Sequence, residues 1–173
     1  NTTGVVTATI SDGTIASLST LNGIGNAYTI AVTDSSVNAA ALNTLDSKTT
    51  VNVNAASVAT LTGTAADIAT AISAATIDTA TAVGVTINSG SASAADLNTI
   101  DSNTSATVNA NAVTTLTGTA ADIALAISAS TIDTATAVAA TVTGNATVAQ
   151  ANTIDANTTG VVTATISDGT IAS

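Results

Sequence analysis

Two hydrophobic periods alternate along the chain. In the first, a Thr, Ser or Asn is followed by an aliphatic four residues on and by another at seven or eight. Thr14 leads to Leu18 and Leu21, Asn38 to Leu42 and Leu45, and Thr64 to Ile68 and Ile72. Ser93 leads to Leu97 and Ile100, Thr119 to Ile123 and Ile127, and Thr147 to Ala151 and Ile154, with Ala151 the weakest anchor. Steps of three and four place such residues on one helical face, so each cap predicts a short helix of two to three turns, the longest over 65–75 and 120–129. Asp67, Asp96, Asp122 and Gln150 stand three residues after their caps, the pattern of a capping box; Thr14 and Asn38 lack the reciprocal acceptor.

Between these segments the period falls to two. Val6, Ala8 and Ile10 alternate with Thr7 and Thr9, and Val51, Val53 and Ala55 with Asn52 and Asn54. Ala106, Val108 and Ala110 follow the same pattern, as do Val162, Ala164 and Ile166. These read as half-buried strands. Over 79–87 and 134–142 the alternation changes phase, which predicts a bulge or bend. Ser11-Asp12-Gly13, Thr62-Gly63, Ser89-Gly90 and Thr117-Gly118 read as turns.

The pattern repeats. Residues 1–17 are identical to residues 157–173, an offset of 156. Inside that span Asn43-Thr-Leu-Asp46, Asn98-Thr-Ile-Asp101 and Asn152-Thr-Ile-Asp155 lie 55 and 54 residues apart. The N-terminal third is the shortest and the most divergent, with Leu21-Asn-Gly-Ile-Gly-Asn26 where the others carry Asp-Ile-Ala. Thr170 reopens the cycle of caps, so the unit averages about 26 residues in six copies. One strand and one helix of that length cannot bury their own apolar faces, but stacked on a neighbour they can. The fold expected is an α/β solenoid, with a short helix and strand or strands in each coil and a parallel sheet. An all-β solenoid is the alternative, because Thr and Val favour strands and helices stack at ~8–10 Å against ~4.8 Å for strands. Residues 1–173 read as one continuous segment of six coils per superperiod. With no Met to start it, the segment is expected to be a fragment of a longer array.

Composition narrows the function. The chain has no His, Cys, Glu or Arg and a single Lys, Lys48. A Ser or Thr nucleophile needs a base, and only Asp, Tyr28 and Lys48 could supply one. Every Asp except Asp34 recurs in repeat-equivalent places, unlike the residues of a unique active site. The chain is therefore not expected to be an enzyme, and no catalytic or cofactor-binding residue is assigned. A net charge of −10 leaves nothing to neutralise phosphates, which argues against nucleic acid as a partner. No apolar run reaches the roughly 18–20 residues of a membrane span. Calcium is the ligand to weigh, because oxygen donors abound. Asp67, Asp96 and Asp122 are accounted for by capping, and Asp12 and Asp168 by Asp-Gly turns. Asp46, Asp101 and Asp155 sit late in short helices, where an anion is unfavourable. They are the calcium candidates, with loop hydrogen bonding as the other explanation. Pairs such as Thr7/Thr9, Asn52/Asn54, Thr107/Asn109 and Thr163/Thr165 could form rows of hydroxyls and amides, as in ice-binding solenoids, or be ordinary outward strand residues.

The phrases Leu97-Asn-Thr-Ile-Asp101 and Leu-Thr-Gly-Thr-Ala-Ala-Asp (61–67 and 116–122) resemble the repeats of giant cell-surface proteins from marine bacteria, especially cyanobacteria. Swimming-associated surface proteins are one example, and the stalks of very large RTX-type adhesins are similar. The resemblance implies secretion to the cell surface and a filament, stalk or coat role. It carries over no functional residue, and the calcium-binding nonapeptide of RTX proteins is missing. The function expected is that of a structural protein of an extracellular filament, stalk or surface layer, with itself as partner through coil-on-coil stacking. A binding module is the alternative: a calcium-stabilised adhesin stalk, or an ice- or glycan-binding solenoid.

Overall fold

The six caps named above each start a helix, and what they do at the atomic level sets where the helices lie. Residues 4–169 of the chain are described by a computed structural model and form an α/β fold of six helices and three sheets. Thr14 opens α1 (Ile15–Leu18), Asn38 opens α2 (Ala39–Asp46), and Thr64 opens α3 (Ala65–Ser73). Ser93, Thr119 and Thr147 open α4 (Ala94–Asn103), α5 (Ala120–Ser128) and α6 (Val148–Ala156). The cap predicted at Thr170 lies outside the described residues. In every case the cap side chain accepts a hydrogen bond from a backbone amide of the first turn. The reciprocal half of the capping box is a correction to the sequence reading, since only Thr147/Gln150 completes it. Asp is one methylene shorter than Glu or Gln. At Thr64/Asp67 and Thr119/Asp122 the cap hydroxyl therefore donates to the carboxylate, at 2.6 Å, instead of the carboxylate reaching the cap amide.

Among the described residues thirteen strands run between and beside these helices, about two for each helix, so the all-β alternative is set aside. The first sheet has the order β1 (Thr7–Thr9), β2 (Ala27–Ala31), β4 (Val53–Ala55), β6 (Ile77–Thr79). The second runs β3 (Ser36–Asn38), β5 (Thr60–Gly63), β7 (Gly84–Ile87), β9 (Val108–Ala110), β11 (Ile132–Thr134). The third runs β8 (Gly90–Ser93), β10 (Val113–Gly118), β12 (Ala139–Ala146), β13 (Val162–Ile166). The strand pairs are parallel. Parallel partners need a crossover, and here the crossover is the rest of one turn with its helix.

The register aligns the core. In the second sheet Val37, Leu61, Val85, Val108 and Ile132 are successive Cα partners, and all five are buried. Ile30, Val53 and Ile77 do the same in the first sheet. The anchors Leu42, Ile68, Leu97 and Ile123 close the core from the helix side with no exposed surface. One aliphatic cluster runs from Leu18 to Ile154, so burial is shared between turns rather than enclosed within one. The strands over 6–10 and 162–166 are only half-buried, having a neighbour on one side each.

The phase changes over 79–87 and 134–142 are corners rather than bulges. Each stretch is two strands in two different sheets, β6 and β7 or β11 and β12. At the corner Val83 N–H donates to Ala80 O and Val138 N–H to Ala135 O, both at 3.1 Å. A chain that turns around a core must change phase there to keep pointing inward. Gly63 and Gly118, at φ +145° and +147°, make the sharp step from strand to cap at Thr64 and Thr119, a conformation costly for residues with a Cβ.

Strands and caps keep different steps. Thr60, Gly84 and Val108 mark strand starts 24 residues apart, but the caps of α2 to α6 step by 26, 29, 26 and 28. Strands stack at ~4.8 Å and helices at ~8–10 Å, so the helices must step sideways as they climb. The chain shows that drift. β3 runs directly into α2, whereas β7 needs β8, and β11 needs β12, before the next helix begins. Consecutive helices from α2 to α6 remain in contact throughout.

Candidate functional site

The calcium candidates do not come together. Asp46, Asp101 and Asp155 lie on α2, α4 and α6, with α3 and α5 between them. Two helix spacings amount to ~16–20 Å, too far for one ion with ligands at ~2.3–2.6 Å. Asp46 is half-buried, and its Oδ2 accepts from Thr76 Oγ1 at 2.8 Å, a loop hydrogen bond of the kind weighed against a metal. Asp101 is half-buried and Asp155 exposed. Among the described residues no three His, Cys, Asp or Glu side chains gather in a way that could hold a metal ion.

Polar side chains instead concentrate where one turn meets the next. Asn43 Nδ2 donates to Asp67 O at 2.9 Å, and its counterpart Asn98 donates to Asp122 O at 3.1 Å. Each tie joins a helix to the one above it. The Asn-Thr-Leu/Ile-Asp phrase marked the repeat in the sequence, and two of its three Asn residues, Asn43 and Asn98, hold the helix column. A second tie was not singled out in the sequence. Thr49, Thr104 and Thr158 each follow a helix and are spaced 55 and 54 apart. Thr49 Oγ1 donates to Tyr28 O at 2.7 Å, Thr104 Oγ1 to Val83 O at 2.7 Å, and Thr158 Oγ1 to Val138 O at 2.5 Å. Each also accepts from the amide two residues on, at Val51, Ala106 and Gly160. That small loop turns the chain out of the helix while fastening it to the turn below. Its signal was the recurrence itself, masked by the abundance of Thr.

Two carboxylates reach across turns as well. Asp34 Oδ2 accepts from Ile15 N at 2.6 Å, and Asp168 Oδ2 accepts from Val148 N at 2.7 Å. Each occupies the first free amide of a helix in the turn below. The assignment of Asp168 to a local Asp-Gly turn is therefore incomplete, and Asp34, the one Asp set apart in the sequence, plays the same part as Asp168.

The outer faces carry ordered rows. Ser93, Thr117, Thr141 and Thr163 are successive Cα partners. Asn38, Thr62, Thr86, Asn109 and Asp133 form another row. Several hydroxyls turn back to the strand below, as Thr117 does to Ala92 O at 3.3 Å and Thr62 to Val37 O at 3.4 Å. A cavity of about 240 Å³ lies beside α1, lined by Ile15, Ser19, Ala41, Thr44, Leu45 and Lys48. Lys48 Nζ spans this region and donates to Leu21 O at 2.5 Å. Among the described residues no helix is long and apolar enough to cross a membrane. The chain matches no family model, no curated protein and no solved structure.

Proposed function

We propose that the chain is a length of α/β solenoid with a mechanical role, in an extracellular filament, stalk or surface layer. The observation that carries this reading is the aliphatic row Val37–Leu61–Val85–Val108–Ile132, in which each turn's apolar face is completed by its neighbours. A body built this way grows by adding turns, and its parallel ladder bears load along the stack. The Asn and Thr ties between turns serve the same end. The acidic surface, with one cation, keeps neighbouring copies from sticking side by side. The partner in this reading is the chain itself, turn on turn, and no reaction is assigned. Extracellular placement is supported by the resemblance to surface-protein repeats.

Scattering from chains of one, two and three 156-residue periods tests the architecture. The expected length grows linearly, by about 25–30 Å per period at ~4.8 Å per turn. Growth as separate beads or as a compact sphere would sink it. Antibody labelling of intact source cells tests the location, and label confined to the interior would overturn it.

The binding alternative rests on the in-register row Ser93–Thr117–Thr141–Thr163. An ice- or glycan-contacting face predicts thermal hysteresis or glycan-array binding that is lost in Thr141→Val. A calcium-stabilised stalk predicts a fall in Tm on chelation, and an unchanged Tm removes it.

A further inference from the structure

The loop between α1 and β2 carries the one Asn-Gly pair of the chain, Asn22-Gly23. The loop is held at both ends and free in the middle. Leu21 O accepts from Lys48 Nζ, while Asn26 accepts from Val6 N through Oδ1 and from Thr50 N through its carbonyl. The chain thus borders the loop on both sides, and its exposure belongs to the loop itself. Residues 22–25 are all exposed and, among the described residues, make no hydrogen bond through backbone or side chain. Gly23 and Gly25 take φ of +85° and +72°, so half of these four residues can change conformation at little steric cost.

That combination suits one reaction. A backbone amide can close on the side chain of the Asn before it when three conditions meet: the amide is not hydrogen-bonded, the Asn side chain is not engaged, and no Cβ crowds the ring. Other Asn residues fail at least one condition. Asn54 Oδ1 accepts from Ala56 N at 3.1 Å, and Asn98 Nδ2 donates to Asp122 O at 3.1 Å, which pins both side chains. Asn88 is exposed, but Ser89 follows it and brings a Cβ. Asp12-Gly13 and Asp168-Gly169 offer carboxylates, which are poorer electrophiles than an amide, and Asp168 is held by Val148 N at 2.7 Å.

We propose that Asn22 is a site of self-modification, at which the Gly23 amide closes on the Asn22 side chain and water completes the conversion to Asp and isoaspartate. Gly23 N gives its proton to hydroxide and forms a bond to Asn22 Cγ. The Cγ–Nδ2 bond breaks, and ammonia leaves with a proton returned by water. Water then opens the succinimide at either carbonyl. Cleavage of the bond from Gly23 N to Cγ gives Asp, and cleavage of the bond to the main-chain carbon gives isoaspartate. The net change is water in and ammonia out, with nothing oxidised or reduced. Either product adds a negative charge to a chain of net charge −10, next to the residue whose carbonyl the single Lys holds. Isoaspartate also lengthens the main chain by one carbon inside a loop fixed at Leu21 and Asn26. The reaction goes beyond the filament reading and does not depend on it.

The test is incubation of the folded full chain at neutral and at alkaline pH, followed by mass spectrometry of its fragments. A free peptide with the sequence of residues 18–27 is treated alongside it. The expected result is replacement of –NH2 by –OH at Asn22, giving both Asp and isoaspartate, at a rate that climbs with hydroxide. In the folded chain that rate is expected to lie within about tenfold of the peptide's, because the loop needs no unfolding to react. Asn88 is expected to react at least about tenfold more slowly than Asn22. Gly23→Ala is expected to slow the reaction about tenfold. A Cβ at Gly23 meets Asn26 Nδ2 at 3.0 Å, so Asn22→Gln serves as the second variant. Its ring would need one more atom, and it is expected to lose the reaction while keeping the parent's far-UV spectrum. A folded chain that reacts more than about tenfold slower than the peptide overturns the proposal, because the fold would then shield the pair. So does conversion spread evenly over the Asn residues, or conversion at residue 22 as fast in Asn22→Gln as in the parent.

Discussion

The turn that carries α1 and the turns that carry α3 and α5 begin alike and end differently. All three start with a Thr cap and place an aliphatic four residues on, at Leu18, Ile68 and Ile123. α1 then stops after four residues, whereas α3 and α5 continue for nine. After Ile68 come Ala69, Thr70, Ala71 and Ile72, of which all but Thr70 are buried. After Leu18 come Ser19, Thr20, Leu21 and a loop in which Gly23 and Gly25 take φ of +85° and +72°. A cap and one anchor thus secure a single turn, because helix nucleation is costly and only further packed residues extend it. The short helix leaves the flank of α2 uncovered, which opens the cavity beside Ser19 and Ala41. Polar contacts compensate there: Lys48 holds Leu21 O, and Asn26 Nδ2 donates to Tyr28 Oη at 3.1 Å. The single Tyr and the single Lys both belong to the next turn, in β2 and just after α2, and both border this irregular loop.

The sharpest way to break the comparison is to remove one anchor from each region. Leu97→Ala, in the regular stack, is expected to cost about 2–5 kcal/mol and to lower the Tm of the whole chain. Leu18→Ala, though its side chain is equally buried, is expected to cost about 2 kcal/mol, the low end of that range, because α1 is one turn long and a cavity lies beside it. Equal losses by chemical denaturation would show that the first turn is as tightly coupled as the rest. Next in size is Gly118→Ala, which forces a Cβ into φ +147° and should cost about 1–3 kcal/mol. Thermal unfolding that matches the parent chain would contradict the strain at that step. Third, Thr119→Ala removes the cap of α5 for about 1 kcal/mol, while Thr14→Ala should cost less because α1 has little helix to lose. Smallest is Lys48→Met, expected to change global stability by under ~0.5 kcal/mol. Its effect should be local, read as faster amide exchange over 21–28 with exchange in α4 and α5 unchanged. Uniform acceleration would place Lys48 in the cooperative core instead.

Much of this was legible in advance. The caps Thr14, Asn38, Thr64, Ser93, Thr119 and Thr147 could be placed because capping and the +4 anchor are both local in sequence. The inward residues Val53, Ala55, Val108 and Ala110 followed from alternation alone. The corners at Val83 and Val138 were visible only as a change of phase, since a bulge and a turn between sheets look alike without neighbours. The roles of Thr49, Thr104, Thr158 and Asp34 were hidden, because their partners lie about one turn away.

What the sequence determined by itself is the kind of element and its inward face, since period, cap and anchor act over a few residues. Only the tertiary structure decided how the elements stack. Strands close to ~4.8 Å and helices stay ~8–10 Å apart, so the helices drift around the stack and an extra strand, β8, fills the space opened beside β7. That mismatch belongs to the packing between turns, and no single turn contains it.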